Sequence, residues 1–152
     1  MAAHLQQQLL DAYHATLAAA GTSAAGNVYL ERFDPLPEAL LPAILIDGGA
    51  EDVQSEGFFL TAIQSRNFNF TTTAVCKAAT GAAAQARNLA KEIEIAFFAS
   101  ANAADASQKA KSLRLLGSEP EKDENALQEL FKVTQQWQAT YTTSAGVPDT
   151  PF

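Results

Sequence analysis

The sequence has few residues that carry redox or metal chemistry, with one cysteine and two histidines among 152 residues. A single cysteine, Cys76, forms no internal disulfide, and this usage is typical of a protein kept in a reducing cytosol. His4 and His14 do not share one face of the predicted first helix, so they predict no metal pair. We expect both histidines to be solvated, and we expect no cofactor.

Positive charge is also scarce, since 10 lysines and arginines stand against 17 acidic residues and the net charge is −7. A nucleic-acid binder that neutralises phosphates needs the opposite balance, so this charge argues against that class. No apolar run approaches the length of a membrane span, and the N-terminus has no basic start followed by an apolar core. We therefore expect no membrane partner and no signal peptide.

Catalytic motifs are missing as well. The sequence has no C-x-x-C, no H-E-x-x-H, no Walker loop and no Ser-His-Asp arrangement. Gly81 and the pair Gly48-Gly49 are isolated, which leaves a phosphate-binding loop unsupported. Glu92 and Glu94 point to different sides of a helix, which is wrong for a carboxylate pair. The sequence therefore predicts no catalytic residues and no metal site, and the protein is predicted not to be an enzyme.

What the sequence does contain is a strand followed at once by an amphipathic helix, between Arg66 and Ser100. Residues 66–76 alternate apolar and polar side chains, as a half-buried strand does. The period then becomes helical, with one apolar stripe from Ala82 to Phe97. This pair of elements is a packing unit, and we expect its core to contain Cys76 and the larger residues Phe70, Leu89, Ile93, Phe97 and Trp137.

The remaining elements complete an α+β fold, a mostly antiparallel sheet with helices packed on one face as a two-layer sandwich. The length of 152 residues predicts a single domain over residues 1–152, with an irregular tail at 144–152, and the hydrophobic share of 47% argues against a disordered chain. The glycines at 48 and 49 are predicted to end one strand, and residues 57–64 are either a further strand or a hairpin tip. The other predicted elements are a helix at 2–20, strands at 28–30, 43–47, 113–116 and 131–143, and solvated loops at 49–56 and 118–125.

Apolar residues outside the core stripe identify a candidate subunit interface. Ile95 and Phe98 lie on the far side of the helix, close to Lys91, and form a small apolar patch. Cover by the 101–112 loop or by the C-terminal tail of the same chain is the alternative to a neighbouring subunit. The opposing face of the interface is predicted to be the apolar segment Phe58, Phe59 and Leu60.

The order of these motifs resembles that of the tail terminator proteins of tailed bacteriophages, which are also called tail completion or neck proteins. The resemblance extends over most of the chain. It is carried by a leucine-rich first helix from Leu5 to Leu17, the strand lead-in Leu41-Pro42-Ala43-Ile44, the strand from Phe68 to Cys76 that feeds the helix from Leu89 to Phe98, the final strand Trp137-x-Ala-x-Tyr141-x-Thr143, and the nearby Val147-Pro148-Asp149.

This resemblance implies a structural virion protein that assembles into a homo-oligomeric ring, usually a hexamer. Such a ring caps the tail tube, ends its polymerisation and provides the surface that joins the head. The implied partners are other copies of the chain, a tail tube protein and a head–tail connector protein, while DNA passes through without tight binding. The implied location is the virion neck, after synthesis in the bacterial cytoplasm.

Two other classes stay open on the sequence alone. One is a small cytosolic ligand-binding module, or an enzyme subunit, with a pocket between the sheet and the helices. The other is a different tail component, such as a tube or baseplate protein.

Overall fold

A computed structural model describes residues 3–57, 62–99, 109–123 and 128–152 of the chain. The predicted interface residues Phe58, Phe59 and Leu60 lie outside the described residues. The elements in chain order are α1 (Leu5–Ala19), β1 (Val28–Leu30), a 3₁₀ turn (Glu38–Leu40), β2 (Ala43–Glu56), β3 (Ile63–Ala78), α2 (Ala82–Phe98), β4 (Ser112–Asp123) and β5 (Glu129–Ser144).

The strands described here form one sheet in the order β1-β2-β3-β5-β4. β1 runs parallel to β2, and the other neighbours pair antiparallel. α1 contacts β1 and β2, while α2 contacts β3 and β5. The inward residues of all these elements meet on a single face of the sheet, so the predicted α+β class is confirmed.

The core lies between that face and the helices, and strand alternation explains its composition. Trp137 on β5 and Phe70 on β3 are opposite each other in the register and stack with ring centroids 6.4 Å apart. Phe97 of α2 meets Trp137 edge-on at 4.9 Å, and Tyr13 of α1 stacks on Phe70 at 4.8 Å. The predicted core is confirmed, since Phe70, Leu89, Ile93, Phe97, Trp137 and Cys76 are all buried.

Two predicted loops are strands instead. The glycines at 48 and 49 do not end β2, which continues to Glu56 with a bulge between Gly48 and Glu51. A Cβ at Gly49 would lie 2.9 Å from the carbonyl oxygen of Asn69, so the missing side chain lets the two backbones approach. The predicted connector at 118–125 is also wrong as far as Asp123, because β4 pairs with β5 up to that residue.

Both errors have the same physical cause. Apart from Glu51, the outer parts of β2 and β4 are exposed on both faces, so they show no apolar alternation. They are held as strands by the ladders of β3 and β5, which are long-range partners that no local pattern contains.

Each of the two histidines has a hydrogen-bond partner in the protein. His4 caps α1, because its Nδ1 accepts a hydrogen bond from the backbone N–H of Gln6 at 3.2 Å. His14 lies partly buried, with Nε2 at 2.9 Å from the carbonyl oxygen of Val28. The expectation of a solvated side chain is therefore wrong for His14.

Candidate assembly surface

The outward side of α2 carries the predicted apolar patch. At about 100° per residue, the buried stripe of α2 faces the sheet, and Ile95, Phe98 and Lys91 lie opposite it. Ile95 is 61% exposed and Phe98 is 57% exposed, even though the Phe98 ring lies 6.0 Å from that of Trp137. The predicted exposure of Ile95 and Phe98 is confirmed, whereas their role as a subunit interface stays a prediction.

The face of the sheet opposite the helices, here called the open face, is polar and uncharged along most of its centre. Cross-strand hydrogen bonds tie these side chains together. Thr140 donates to Asn67 at 2.8 Å, and Gln138 donates to Asn69 at 3.2 Å. Strand alternation puts ten neutral polar residues of β3 and β5 on this face, namely Ser65, Asn67, Asn69, Thr71, Thr73, Thr134, Gln136, Gln138, Thr140 and Thr142.

Acidic side chains flank this neutral centre on both outer strands. In the register, β4 places Glu119, Glu121 and Asp123 towards the open face. On the other side, Asp52 of β2 is paired with Asn67. The same registers place three cations on this face, Arg114 on β4, Lys132 on β5 and Lys77 on β3. The open face is therefore neutral along most of its centre, with an excess of acidic side chains on its outer strands.

The sheet has unpaired edges on both sides among the described residues. β1 covers β2 only from Ile44 to Ile46, which leaves the outer edge of residues 47–56 without a neighbouring strand there. On the opposite side, the outer edge of β4 has no neighbouring strand within the described ranges either. Charged residues and Pro120 occupy β4 from Glu119 onwards, and such residues discourage edge pairing, whereas residues 112–117 hold one charge.

These two free edges lie at the same height in the sheet. Leu115 pairs with Trp137, Trp137 with Phe70, and Phe70 with Gly48. By the same registers, Ser112 is level with Asp52. The part of β4 that lacks protecting charges is therefore level with the free outer edge of β2.

A polar network stabilises the long strands beyond Phe68. The Arg66 guanidinium forms an ion pair with Glu51 at 2.9 Å, and the side chains of the two residues are only 12% and 8% exposed. Arg66 Nε also donates to Thr143 Oγ1 at 3.0 Å, and the Tyr141 hydroxyl donates to Glu51. Burial, together with the hydrogen bond to Glu51 and its negative charge, raises the pKa of Tyr141 well above its usual range.

The raised pKa values of two buried tyrosines predict a steep loss of stability at alkaline pH. The pKa values of Tyr13 and Tyr141 are both raised in the folded state, Tyr13 by burial alone. The stabilisation is complete below the unfolded-state pKa of about 10 and is lost as pH rises above it. We expect phenolate absorbance from these tyrosines to appear together with loss of circular dichroism. Early ionisation of both in a still-folded protein would contradict the assignment.

Two concave sites lie at opposite places on the sheet. A cleft of about 570 Å³ lies on the open face, where Leu36 and Leu41 of the chain before β2 approach Val75 and Leu130. Its rim carries mixed charges, including the ion pair between Lys77 and Glu38. A smaller groove of about 310 Å³ runs between α2 and β4. Of these two sites, only the smaller groove lies between the sheet and a helix, where the sequence predicted a pocket.

The described residues contain no group of three or more histidine, cysteine or acidic side chains arranged to hold a metal ion. Burial raises the pKa of the Cys76 thiol, with a smaller contribution from the charge of Glu92. Among the helices of the described ranges, none has the length and apolarity needed to cross a membrane.

One exposed aromatic residue that could contact a partner was not predicted from the sequence. Phe33 is 98% exposed, in the loop that follows β1. The available signal was an aromatic residue between charged neighbours in a proline-containing segment, Arg32-Phe33-Asp34-Pro35.

The sequence matches no protein-family model and no curated protein. Among solved structures, the chain is similar to one described as "Virion of native gene transfer agent (GTA) particle". The match covers 92% of this chain and 96% of that chain, at 19% sequence identity and a TM-score of 0.48. A likeness of this size assigns no function, which has to be inferred from this chain's own residues.

Proposed function

We propose that the protein is a structural virion protein that assembles head-to-tail into a closed ring, and specifically a tail terminator ring. The observation that carries this proposal is the pair of free sheet edges at the same height, β4 from 112 to 117 and β2 from 47 to 52. The resemblance of the motif order to tail terminators supplies the specific role and the hexameric stoichiometry.

The strand directions are compatible with a joint in which the β4 edge of one copy pairs with the β2 edge of the next. β4 and β2 run antiparallel to each other in the protomer. When β4 of one copy approaches β2 of the next by rotation alone, the two edges meet antiparallel, which is the pairing that β2, β3, β5 and β4 use among themselves. Because the two edges are level, little translation accompanies the rotation. A heterologous contact without translation closes into a ring instead of continuing as a helix.

The open face supports a channel-lining role in such a ring. If this face points inward, its neutral threonine, asparagine and glutamine side chains line the passage, and the acidic margins lie at the joints. The cations of this face are few and have partners, since Arg114 donates to Gln138, Lys77 pairs with Glu38, and Lys132 is level with Glu121. Such a surface offers phosphates no continuous cationic track. DNA would pass this wall without being retained.

The apolar patch of α2 lies next to the same joint. Lys91, which adjoins Ile95 and Phe98, also lines the groove between α2 and β4. A neighbour that docks on the β4 edge is therefore close enough to cover the patch. Burial of two large apolar side chains would stabilise the joint, at about 25 cal/mol for each Å² of apolar surface removed from water.

Replacing Ile95 and Phe98 together with serine should weaken ring assembly and leave the protomer folded. Both side chains are more than half exposed, so their loss removes little from the core. Size-exclusion chromatography with light scattering measures the stoichiometry, and circular dichroism checks the fold. A matched control replaces Val147 and Phe152, which are exposed at 43% and 66% in the C-terminal tail, with serine.

Two results would contradict the interface assignment. One is a double variant that assembles as well as the parent and the tail control. The other is a variant that melts like a core mutant, which would show that the patch is covered by the chain itself. A parent protein that stays monomeric at high concentration and also in the presence of tail tubes would contradict the ring.

A ligand-binding module is the second candidate, because the cleft on the open face has apolar walls and a charged rim at a volume of about 570 Å³. This class predicts a monomer or dimer in the same light-scattering experiment. It also predicts that narrowing the cleft by Val75→Phe changes ligand binding without changing stoichiometry.

A further inference from the structure

Phe33 is an aromatic side chain with almost no contact to its own protomer, since it is 98% exposed. Aromatic residues that anchor protein interfaces insert into a pocket on the partner and contribute most when they are held rigidly beforehand. Arg32 and Asp34 line the cleft on the open face, whereas Phe33 does not. The ring of Phe33 is therefore directed away from the cleft of its own chain.

The loop that carries Phe33 is held in place on both sides. The backbone N–H of Glu31 donates to the carbonyl oxygen of Ile46 at 2.8 Å, which ties the loop to β2. The Arg32 guanidinium lies 4.8 Å from the centre of the Tyr29 ring, and Arg32 Nε donates to the carbonyl oxygen of Asp34 at 3.2 Å. Pro35 then restricts the backbone that follows. Little backbone entropy of this loop therefore remains to be lost when Phe33 is bound.

The groove between α2 and β4 lies on the opposite edge of the sheet at the same height. Leu115 on its wall is level with Gly48, and Pro120 is level with Ile44, through the registers of β5 and β3. β1 pairs with residues 44–46, and the Phe33 loop follows directly. Rotation of one copy against the next, with little translation, therefore brings the loop of one copy to the groove of the other.

The chemistry of the groove matches that of the loop. Leu115, Pro120 and Val133 provide apolar walls, and a volume of about 310 Å³ admits one aromatic ring. The rim carries Arg87, Lys91 and Glu94, so it is positive by one charge. The loop carries Glu31, Arg32 and Asp34, so it is negative by one charge. Asp34 can face the basic residues of the rim while Arg32 faces Glu94.

We propose that Phe33 of each copy inserts into the α2–β4 groove of the next copy, as the anchor of the head-to-tail joint. This inference rests on the proposed ring and adds the residues that hold it together. It also explains how a fully exposed aromatic side chain on the β1 edge can coexist with a groove on the β4 edge that the described residues leave open.

Disulfide trapping tests the contact directly. Phe33→Cys and Ser118→Cys are combined, since Ser118 lies on β4 at the groove and is exposed. The two positions lie on opposite edges of one sheet, too far apart for a disulfide within a protomer. Native Cys76 is buried and does not compete. We expect a ladder of cross-linked oligomers that ends at the ring size. Pairing Phe33→Cys with Gln136→Cys, exposed on the open face, should give no ladder.

Loss of the anchor is the complementary test. Phe33→Ala should raise the concentration needed for half-maximal assembly by at least tenfold without changing the melting temperature, whereas Phe152→Ala should leave both unchanged. A ring that assembles normally with Phe33→Ala, and gives no ladder with the Phe33–Ser118 pair, overturns this anchor and leaves the ring standing. A dimer from Phe33→Cys alone would indicate a symmetric contact and overturn the anchor as well. A parent that never assembles, with no ladder, overturns both proposals.

Discussion

Replacing Leu89 with alanine should lower the free energy of unfolding by about 2–5 kcal/mol. Leu89 is fully buried at the centre of the stripe by which α2 faces the sheet. Its truncation removes apolar contacts and leaves a cavity that the rigid strands beneath can fill only in part. Denaturant unfolding followed by circular dichroism measures the change.

The matched control for Leu89 is Ile95→Ala on the same helix. Ile95 is 61% exposed, so this change should shift the stability of the protomer by about 0.5 kcal/mol or less. A small effect at Leu89, below about half a kcal/mol, would show that the helix face has been assigned wrongly.

Replacing Arg66 with methionine should cost about 3–5 kcal/mol, because the change leaves the buried carboxylate of Glu51 without its cation. Glu51 has an 8% exposed side chain and relies on Arg66 at 2.9 Å and on the Tyr141 hydroxyl. The loss should be concentrated where β2, β3 and β5 extend past Phe68. Hydrogen exchange at the amides of residues 63–67 would locate it.

A double variant separates the ion pair from simple packing. Arg66→Met combined with Glu51→Gln removes both charges, so it should recover part of the stability that the single change loses. Arg114→Met, at an exposed position whose side chain bonds Gln138, is the surface control and should be near neutral. A single variant of Arg66 that is as stable as this control would refute the buried-pair assignment.

The parts of the fold that could be predicted are those in which burial of one face imposes a period on the local sequence. Phe68, Phe70 and Ala74 alternate because one face of β3 is buried, and the stripe of α2 repeats because that helix lies on the sheet. Trp137 and Tyr141 follow the same rule on β5. In each case burial on one side produces the period in the sequence.

The parts that could not be predicted depend on long-range pairing. Glu51 is positioned by the bulge after Gly48, so its meeting with Arg66 and Tyr141 depends on a register that no single segment encodes. The exposed half of β4 is polar on both faces and is a strand only because β5 lies beside it. The patch at Ile95 and Phe98 could be found from helical geometry. Phe33 lies in a loop, which has no periodic pattern, so its exposure could not be predicted in the same way.

The position of Trp137 has a practical consequence for spectroscopy. It is the only tryptophan in the chain, and its side chain is fully buried between β3, β5 and α2. Its fluorescence therefore originates from a single dry site, and a red shift of the emission reports separation of the sheet from α2. The Phe33 loop follows β1 at the far edge of the sheet, away from this indole, so substitutions there should leave the spectrum unchanged. The Phe98 ring lies 6.0 Å from it, so the same spectrum senses occupation of the α2 patch.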